Sequence, residues 1–518
     1  MNKTGKASVT DWVAVVAGSL GALMATLDIS ITNSALPQIQ GEIGASGTEG
    51  TWISTAYLLA EIVMIPLAAW LSRVMGLRTF LLSMAVMFTI FSVACGLSDS
   101  LSGMILGRLG QGFAGGAMIP TAQTIIRMRL PKAQMPIGMA VFGLIIILGP
   151  LLGPVLGGWL AENVNWTWCF YINLPVAALL ITLLLVGLPK DKGDLSLFAK
   201  ADWLGIVGIS MALSCLTVVL EEGQRDRWFE STMIVALTVL MAIGFIMVAV
   251  SQFTADKPII KLSLLRNTSY SSIIFTVFFV GMGLYCVSYL LPQFLSSVAG
   301  YNAEQAGFVL LVSGVPAFLM MPFLPKLIGK IDIRLLVALG LLCFGISCLM
   351  DSGLTTDSVG SDFTWSQLIR GIGQVLCMMP LNQASMASVA PEEAADAAGF
   401  YNMARNLGGS VGLALIGVFI DRRNTLHTDQ IAQTVTENSV IGNEQIAQSA
   451  ASFVSKGSDA AYAQLQALAQ LTGQIKTQAT VMTFNETFWM LGGALLICVP
   501  LTLLLKKPAP GTDAGEAH

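Results

Sequence analysis

Charge is what this chain has least of. Of its 518 residues 11% are Asp, Glu, Lys or Arg and 54% are hydrophobic, where a soluble domain carries roughly 25% charged residues. That balance excludes an ordinary soluble fold and leaves an all-α polytopic membrane protein. A net charge of -4 offers no basic surface for nucleic acid. Histidine is almost missing: His427 and His518 fall in a polar loop and at the C-terminus, which excludes His-rich metal chemistry. The cysteines Cys95, Cys169, Cys215, Cys286, Cys343, Cys348, Cys377 and Cys498 lie in apolar segments without a CxxC pair. They read as small packing residues, neither a disulfide framework nor a zinc site. Neither HExxH nor GxxxxGK[ST] occurs and no soluble domain stands out, so the chain does not read as an enzyme or sensor, and it has no phosphate loop with which to hydrolyse ATP. No cofactor and no metal is expected.

Long apolar runs are there in abundance. A crossing needs about 20 apolar residues, and fourteen such segments are expected: 12–36, 51–72, 78–97, 102–126, 135–160, 168–188, 202–220, 232–252, 268–298, 304–328, 333–351, 364–390, 397–421 and 485–505. Continuous runs without alternation favour helices over barrel strands. Lys3 and Lys6 before the first run superficially resemble a signal peptide, but that run reaches Leu36 with Asp28 inside it, so it reads as an uncleaved first span.

Eighteen Lys and Arg residues fall in loops of one parity or at the termini and six in the other loops. Arg73, Arg78, Arg127, Arg129, Lys132, Lys190, Lys192, Lys200, Lys257, Lys261, Arg266, Lys326, Lys330 and Arg334, with Lys3, Lys6, Lys506 and Lys507, place both termini in the cytoplasm. The acidic loop at 391–396, with Glu392, Glu393 and Asp396, breaks that rule without reversing the sum.

The chain echoes itself. Leu36, Pro37 and Gln38 recur as Leu291, Pro292 and Gln293; Glu49 and Gly50 have a counterpart in Glu304 to Gly307; Arg108 and Gln111 correspond to Arg370 and Gln374. Two related six-helix halves are therefore expected, 12–188 and 268–505, with 202–252 as an inserted pair, 422–484 as a long outer loop and 506–518 as a cytoplasmic tail. Transporters built this way bind at the midplane between repeats.

Only five charges sit inside the apolar runs: Asp28, Glu61, Arg108, Arg370 and Arg405. A charge in hydrocarbon costs about 2.5 to 3.5 kcal/mol on insertion scales, so such groups face a cavity or a partner. At about 1.5 Å per residue, Asp28, Glu61 and Arg108 lie roughly 12, 15 and 9 Å below the outer face. They share a stratum, and carboxylates balanced between burial and a nearby Arg are candidates for carrying a proton. The alternatives are structural: Asp28 as a packing partner of Asn33 or Arg108, and Arg108 as a lock on Asp28. Arg370 lies at the equivalent depth in the second half. Arg405 is placed near the inner face beside Asn402 and Asn406, and Arg370, Arg405 and Asn402 read as gating or structural.

Span five carries Gly149-Pro150, Gly153-Pro154 and Gly157-Gly158, with Gly149, Gly153 and Gly157 on one helical face. Missing side chains admit another backbone, and the prolines bend the helix. Tyr57, Tyr285, Tyr289, Asn382, Gln383, Phe400 and Tyr401 are candidate pocket residues, Tyr285 and Tyr289 on one face; packed aromatics are the competing reading. In 422–484, Leu465, Leu468, Leu471, Ile475 and Met482 recur at helical spacing. An interfacial helix on the outer leaflet and a docking surface for another protein both account for that pattern.

GPLLGPVLGG at 149–158 resembles the antiporter motif of the major facilitator superfamily, LDISITNSALP at 27–37 its span-one motif and RLGQGFAGG at 108–116 its span-four motif. WISTAYLLA at 52–60, WCFYINLP at 168–175 and RNLGGSVG at 405–412 add to it. With fourteen spans and a long last outer loop, the chain resembles the fourteen-span drug:proton antiporters of EmrB type over essentially its whole length. The resemblance implies efflux of hydrophobic compounds across a bacterial inner membrane, driven by the proton gradient and by alternating access. It carries Asp28 onto the family's span-one acid, Arg108 onto its proton-relay arginine, and Gly149, Pro150, Gly153, Pro154, Gly157 and Gly158 onto the antiporter motif. It also implies a periplasmic adaptor of EmrA type and an outer-membrane channel of TolC type as partners.

The chain departs from the family in one loop. GxLaDrxGrk is expected after span two, whereas AWLSRVMGLR at 69–78 has Ala69 for the first Gly and Arg73 for the Asp, removing the acid on which a cytoplasmic gate would be built. Glu61 belongs to no general superfamily motif, and its proton role rests on burial. An exporter of an endogenous metabolite, such as a fatty acid or siderophore, is the alternative within transport. A passive channel, from a different class, would show no proton countermovement.

Overall fold

The computed structural model describes residues 7–131, 133–255, 258–435 and 440–505. Lys3, Lys6, Lys132, Lys257, Lys506, Lys507 and the 506–518 tail lie outside them. No β-strand occurs among the described residues, as expected where no water is present to satisfy an open backbone edge.

A helix coincides with each expected span. In chain order these are α1 (Val9–Glu42), α2 (Trp52–Met75), α3 (Leu77–Gly96), α4 (Leu101–Arg129), α5 (Met135–Asn163), α6 (Asn173–Gly187), α7 (Trp203–Glu222), α8 (Thr232–Thr254), α9 (Thr268–Ser297), α10 (Ala303–Met320), α11 (Ile333–Met350), α12 (Thr364–Ala387) and α13 (Ala394–Thr434). After these come α14 (Val440–Ser455) and α15 (Ala460–Ile497). Polar loop residues start them: Ser8 caps α1 in a capping box with Asp11, Asn302 caps α10 with Gln305, and Ser100, Asp202, Asn267, Asp332 and Asp459 cap others.

Eleven helical segments among the described residues are long and apolar enough to cross a membrane, and the chain is a multi-pass membrane protein. The three expected spans outside that set are α4, α10 and α12. Two of them carry the buried Arg108 and Arg370. Their polar content lowers mean hydropathy because it faces neighbouring helices.

In the first group of six helices, α1 packs along α5 and also meets α4 and α6, while α2 lies on α4. In the second, α9 pairs with α13, and α11 with α12 and α15. The groups meet where α5 contacts α10 and where α2 and α4 contact α13. The inserted helices α7 and α8 pack on each other, and α7 also touches α2 and α13. One end of the molecule carries the Arg- and Lys-rich loops and is called the basic end here.

The segment 422–484 differs from the expected interfacial helix. α13 has 41 residues and α15 has 38, roughly 62 and 57 Å at the helical rise, against a hydrocarbon core of about 30 Å. The spans continue without a break into the loop and α14 packs on α15. Ala463, Ala467 and Leu471 are buried in that packing, while Leu465 and Leu468 remain exposed.

Candidate functional site

Arg108 pairs with Asp28, and both are fully buried. The same guanidinium donates to the Gln111 amide oxygen at 3.1 Å and, through Nε, to the Ile53 carbonyl at 3.2 Å. The other Asp28 oxygen accepts from Gln111 Nε2 at 3.0 Å and Asn173 Nδ2 at 2.7 Å. Both amides donate in turn to the Ser92 hydroxyl, at 2.7 and 3.1 Å. The Tyr57 ring covers the guanidinium, 4.3 Å from its centroid, a favourable cation–π placement. Five helices thus contribute to one network around this carboxylate, two of them bonding it directly. With this many charge-assisted donors the ionised pair is compatible with burial.

Glycine makes the convergence possible. A Cβ at Gly112 would stand 2.1 Å from the Tyr57 carbonyl oxygen, and one at Gly116 would stand 2.5 Å from that of Glu61. Only bare backbone lets α4 approach α2 so closely.

The antiporter-motif stripe works the same way on the other side of α1. Cβ atoms at Gly149, Gly153 and Gly157 would collide with Thr26, Ser30 and Ser34, at 2.3, 2.4 and 2.1 Å. Both series advance by four residues, so the two helices lie in register along one ridge. The far side of α5 faces the second half: Pro154 lies against Gly307 and Gly158 against Glu304. Bent by Pro150 and Pro154, α5 contacts the Asp28 helix and the opposite half at once.

Glu61 does not close onto Asp28 as the shared stratum suggested. It lies beside Asn406 of the other half, and the charges acting on it are Arg405 and Arg108. Arg405 donates to Asn406 Oδ1 through Nε at 3.3 Å and Nη2 at 3.2 Å, and the Tyr285 hydroxyl donates to the same oxygen at 3.1 Å. Arg405 therefore faces the middle of the bundle and not the inner face; α13 begins at Ala394, eleven residues earlier.

Nearer the basic end, Asn402 Nδ2 donates to Gln123 Oε1 of the first half at 2.8 Å. At the end itself, Arg73 Nη1 reaches both oxygens of Asp396 at 3.2 Å, and Lys261 adds a contact of 2.9 Å. Arg127 donates to the Val389 carbonyl at 3.2 Å. The hydrogen bonds and ion pairs linking the two halves among the described residues lie at the middle and the basic end.

Arg370 is buried as Arg108 is, but its carboxylate is Asp351, at the end of α11. The reason lies in the repeat: the register that aligns Leu36-Pro37 with Leu291-Pro292 carries Asp28 onto Gly283. The second half has no acid there, and its arginine finds one on another helix. Asp351, Asn173 and Ser92 were not singled out in the sequence, and Asp396 stood out only as part of the acidic loop. Asn173 lay inside a motif string, and a lone amide in an apolar run was its only signal. Asn33, one candidate partner of Asp28, instead accepts from the Ser54 hydroxyl at 2.7 Å.

The candidate pocket residues scatter. Tyr401 is buried and donates to the Met378 carbonyl at 3.2 Å; Tyr57 is buried and donates to that of Ala25 at 3.3 Å. Phe400 packs in an apolar cluster shared by both halves. Tyr289 is exposed while Tyr285 is bonded to Asn406, so the two do not act together. Asn382 and Gln383 each keep a buried amide oxygen without a partner.

The sequence profile described as Major Facilitator Superfamily matches residues 18–413. The chain belongs to this superfamily. Among its superfamily relatives, the colistin resistance protein EmrB of Acinetobacter baumannii is 35% identical, covering 96% of this chain and 97% of the relative. The multidrug export protein EmrB of Escherichia coli is 30% identical, covering 98% of each. The solved structure of the proton:xylose symporter XylE shares the fold at a TM-score of 0.60 with 13% identity, covering 96% of both chains. The chain is thus a transporter of the superfamily, similar throughout to proteins named EmrB.

Proposed function

We propose that this chain is a proton-coupled exporter of hydrophobic compounds, working by alternating access across the bacterial inner membrane. Fourteen crossings are expected from the apolar runs, and the basic end is assigned to the cytoplasm from the loop charges. The observation that carries the coupling is the placement of two buried carboxylates on opposite tasks. Asp28 is bonded within the first half, whereas Glu61 faces Arg405 and Asn406 of the other half. A proton on Glu61 would remove the negative charge facing Arg405 and weaken the contact that joins the halves at mid-membrane; its release would restore that contact. Glu61 is therefore the carboxylate whose protonation couples to rearrangement, with Asp28 and Arg108 holding the first half together around it. The proton gradient replaces any cofactor. An adaptor of EmrA type would dock on the projecting part of α13, α14 and α15, with a channel of TolC type completing the export path.

The reading is supported by the names of the similar proteins and by the in-register packing of α5 on α1. Its test is dye efflux from vesicles under an imposed pH gradient. Glu61→Gln should abolish proton-driven efflux while the protein stays folded in the membrane. Unchanged pH-dependent transport in Glu61→Gln would sink the assignment, and efflux without proton countermovement would sink the coupling itself. Fatty acids in the same substrate panel decide whether the solute is a drug or an endogenous metabolite.

A further inference from the structure

At the basic end, away from the site above, α3 and the inner part of α6 leave a groove of about 930 Å³. Its floor is apolar: Leu82, Val86 and Ile90 follow one another at four-residue spacing along α3, with Val86 and Ile90 exposed. Its mouth is basic, lined by Arg78, Lys190 and Lys192. One acid, Asp191, also lies at the mouth, but its two oxygens are occupied by the first amides of α3. Leu77 N donates to it at 2.6 Å and Arg78 N at 3.3 Å. Arg78 is oriented by a bond from Nη1 to the Leu188 carbonyl at 3.0 Å. The loop is held there by a close approach at Gly76, whose φ is +80° and where a Cβ would stand 3.0 Å from Asp191, so that glycine suits the position. The mouth is therefore net cationic, with Arg78 held by its bond to the Leu188 carbonyl and Asp191 tied to the first amides of α3.

The dimensions match one ligand class. From Arg78 to Ile90 is twelve residues, roughly 18 Å along the helix, about the depth of one leaflet of a hydrocarbon core near 30 Å thick. Cationic side chains at headgroup level above an apolar groove between spans are the physical signature of an anionic headgroup with its tail in the membrane.

We propose that the groove between α3 and α6 binds an anionic phospholipid from the leaflet at the basic end. Its phosphate sits against Lys190, Lys192 and Arg78, and one acyl chain lies along Leu82, Val86 and Ile90. The site needs the basic end to lie at a headgroup region but does not depend on which solute is transported or on proton coupling. A zwitterionic lipid is a poorer occupant, because its own cation meets the same rim.

The experiment is a lipid titration of the delipidated full-length protein by native mass spectrometry. Dioleoyl phosphatidylglycerol, dioleoyl phosphatidylcholine and soluble glycerol 3-phosphate are the probes. Wild type should bind phosphatidylglycerol tightest. Lys190→Gln with Lys192→Gln, both exposed and free of the helix cap, should weaken that binding on the order of tenfold or more and leave phosphatidylcholine unchanged. Equal phosphatidylglycerol affinity in wild type and the double variant would overturn the proposal. So would displacement of the lipid by glycerol 3-phosphate at comparable concentration, which would make the rim a site for free phosphate esters. A Val86→Trp variant, which fills the groove and spares the rim, should also lose phosphatidylglycerol; retention would exclude the apolar floor from binding.

Discussion

Arg73, at the last turn of α2, forms a two-oxygen ion pair with Asp396, at the first turn of α13, and so ties the two halves together at the basic end. The sequence places Arg73 at a position where the motif expected after span two would carry an acid. The Arg73 guanidinium pairs instead with an acid of the opposite half. The pair also accounts for the acidic loop that broke the charge rule. Asp396 is buried and is the shared counter-ion of Arg73 and Lys261, so its presence at the basic end is compensated locally.

Because Asp396 serves two cations, Asp396→Asn should loosen the basic end more than Arg73→Gln or Lys261→Gln alone. Arg73 is 38% exposed, and pairs of this kind contribute about 0.2–1 kcal/mol. The Arg73→Gln change should therefore move the open-to-closed ratio by no more than about fivefold. Spin-label distances between the basic ends of α2 and α13 read that ratio directly. Identical distance distributions in all three variants would remove the latch.

A buried pair behaves differently. Arg108→Gln leaves Asp28 buried without its counter-ion beside Gln111 and Asn173, and breaking such a pair costs about 3–5 kcal/mol. Adding Asp28→Asn removes the second charge while keeping a polar group of the same shape. The double variant should thus be more stable than Arg108→Gln alone, a non-additivity that unfolding in detergent would measure. Additive losses would mean that the two residues are not coupled.

Helix positions were legible in the sequence because apolar length is a one-dimensional property. The arginines were legible too, since a charge in an apolar run stands out wherever it folds. Partner choice was not. Glu61 and Asp28 lie at similar depth, yet depth is one coordinate of three, and rotation about α2 turns Glu61 toward Arg405 of the other half. Asp351 sits at the end of an apolar run, where an acid is unremarkable until Arg370 folds onto it. The course of 422–484 was missed because its polar composition hides how the spans on either side continue as helix.

The glycine stripe gives a prediction with an internal control. Gly153→Ala brings a methyl to about 2.4 Å from Ser30 Cβ, and overpacking of this sort costs about 1–3 kcal/mol. Ser30→Gly should recover much of that loss, since it removes the atom in the way. Gly157→Ala should resist the same remedy at Ser34, because the Ile31 carbonyl oxygen also stands 2.5 Å away and no side-chain change withdraws a backbone atom. Melting temperatures of the four variants check this; rescue at both positions would show that α5 simply shifts.

Asp351 and Arg370 separate stabilisation from coupling. Their pair is buried like Asp28 and Arg108, but it lies within the second half, and neither residue is bonded to Glu61 or Asn406. Asp351→Asn leaves Arg370 unpaired, in a site where its Nη1 already lacks a partner. The expected loss of stability is again about 3–5 kcal/mol. In the protein that does fold, efflux should keep its dependence on an imposed pH gradient, whereas Glu61→Gln should lose that dependence at nearly unchanged stability. Measuring both quantities on both variants decides the matter: loss of pH dependence in Asp351→Asn would make the second-half pair part of the proton path and remove Glu61 from its special position.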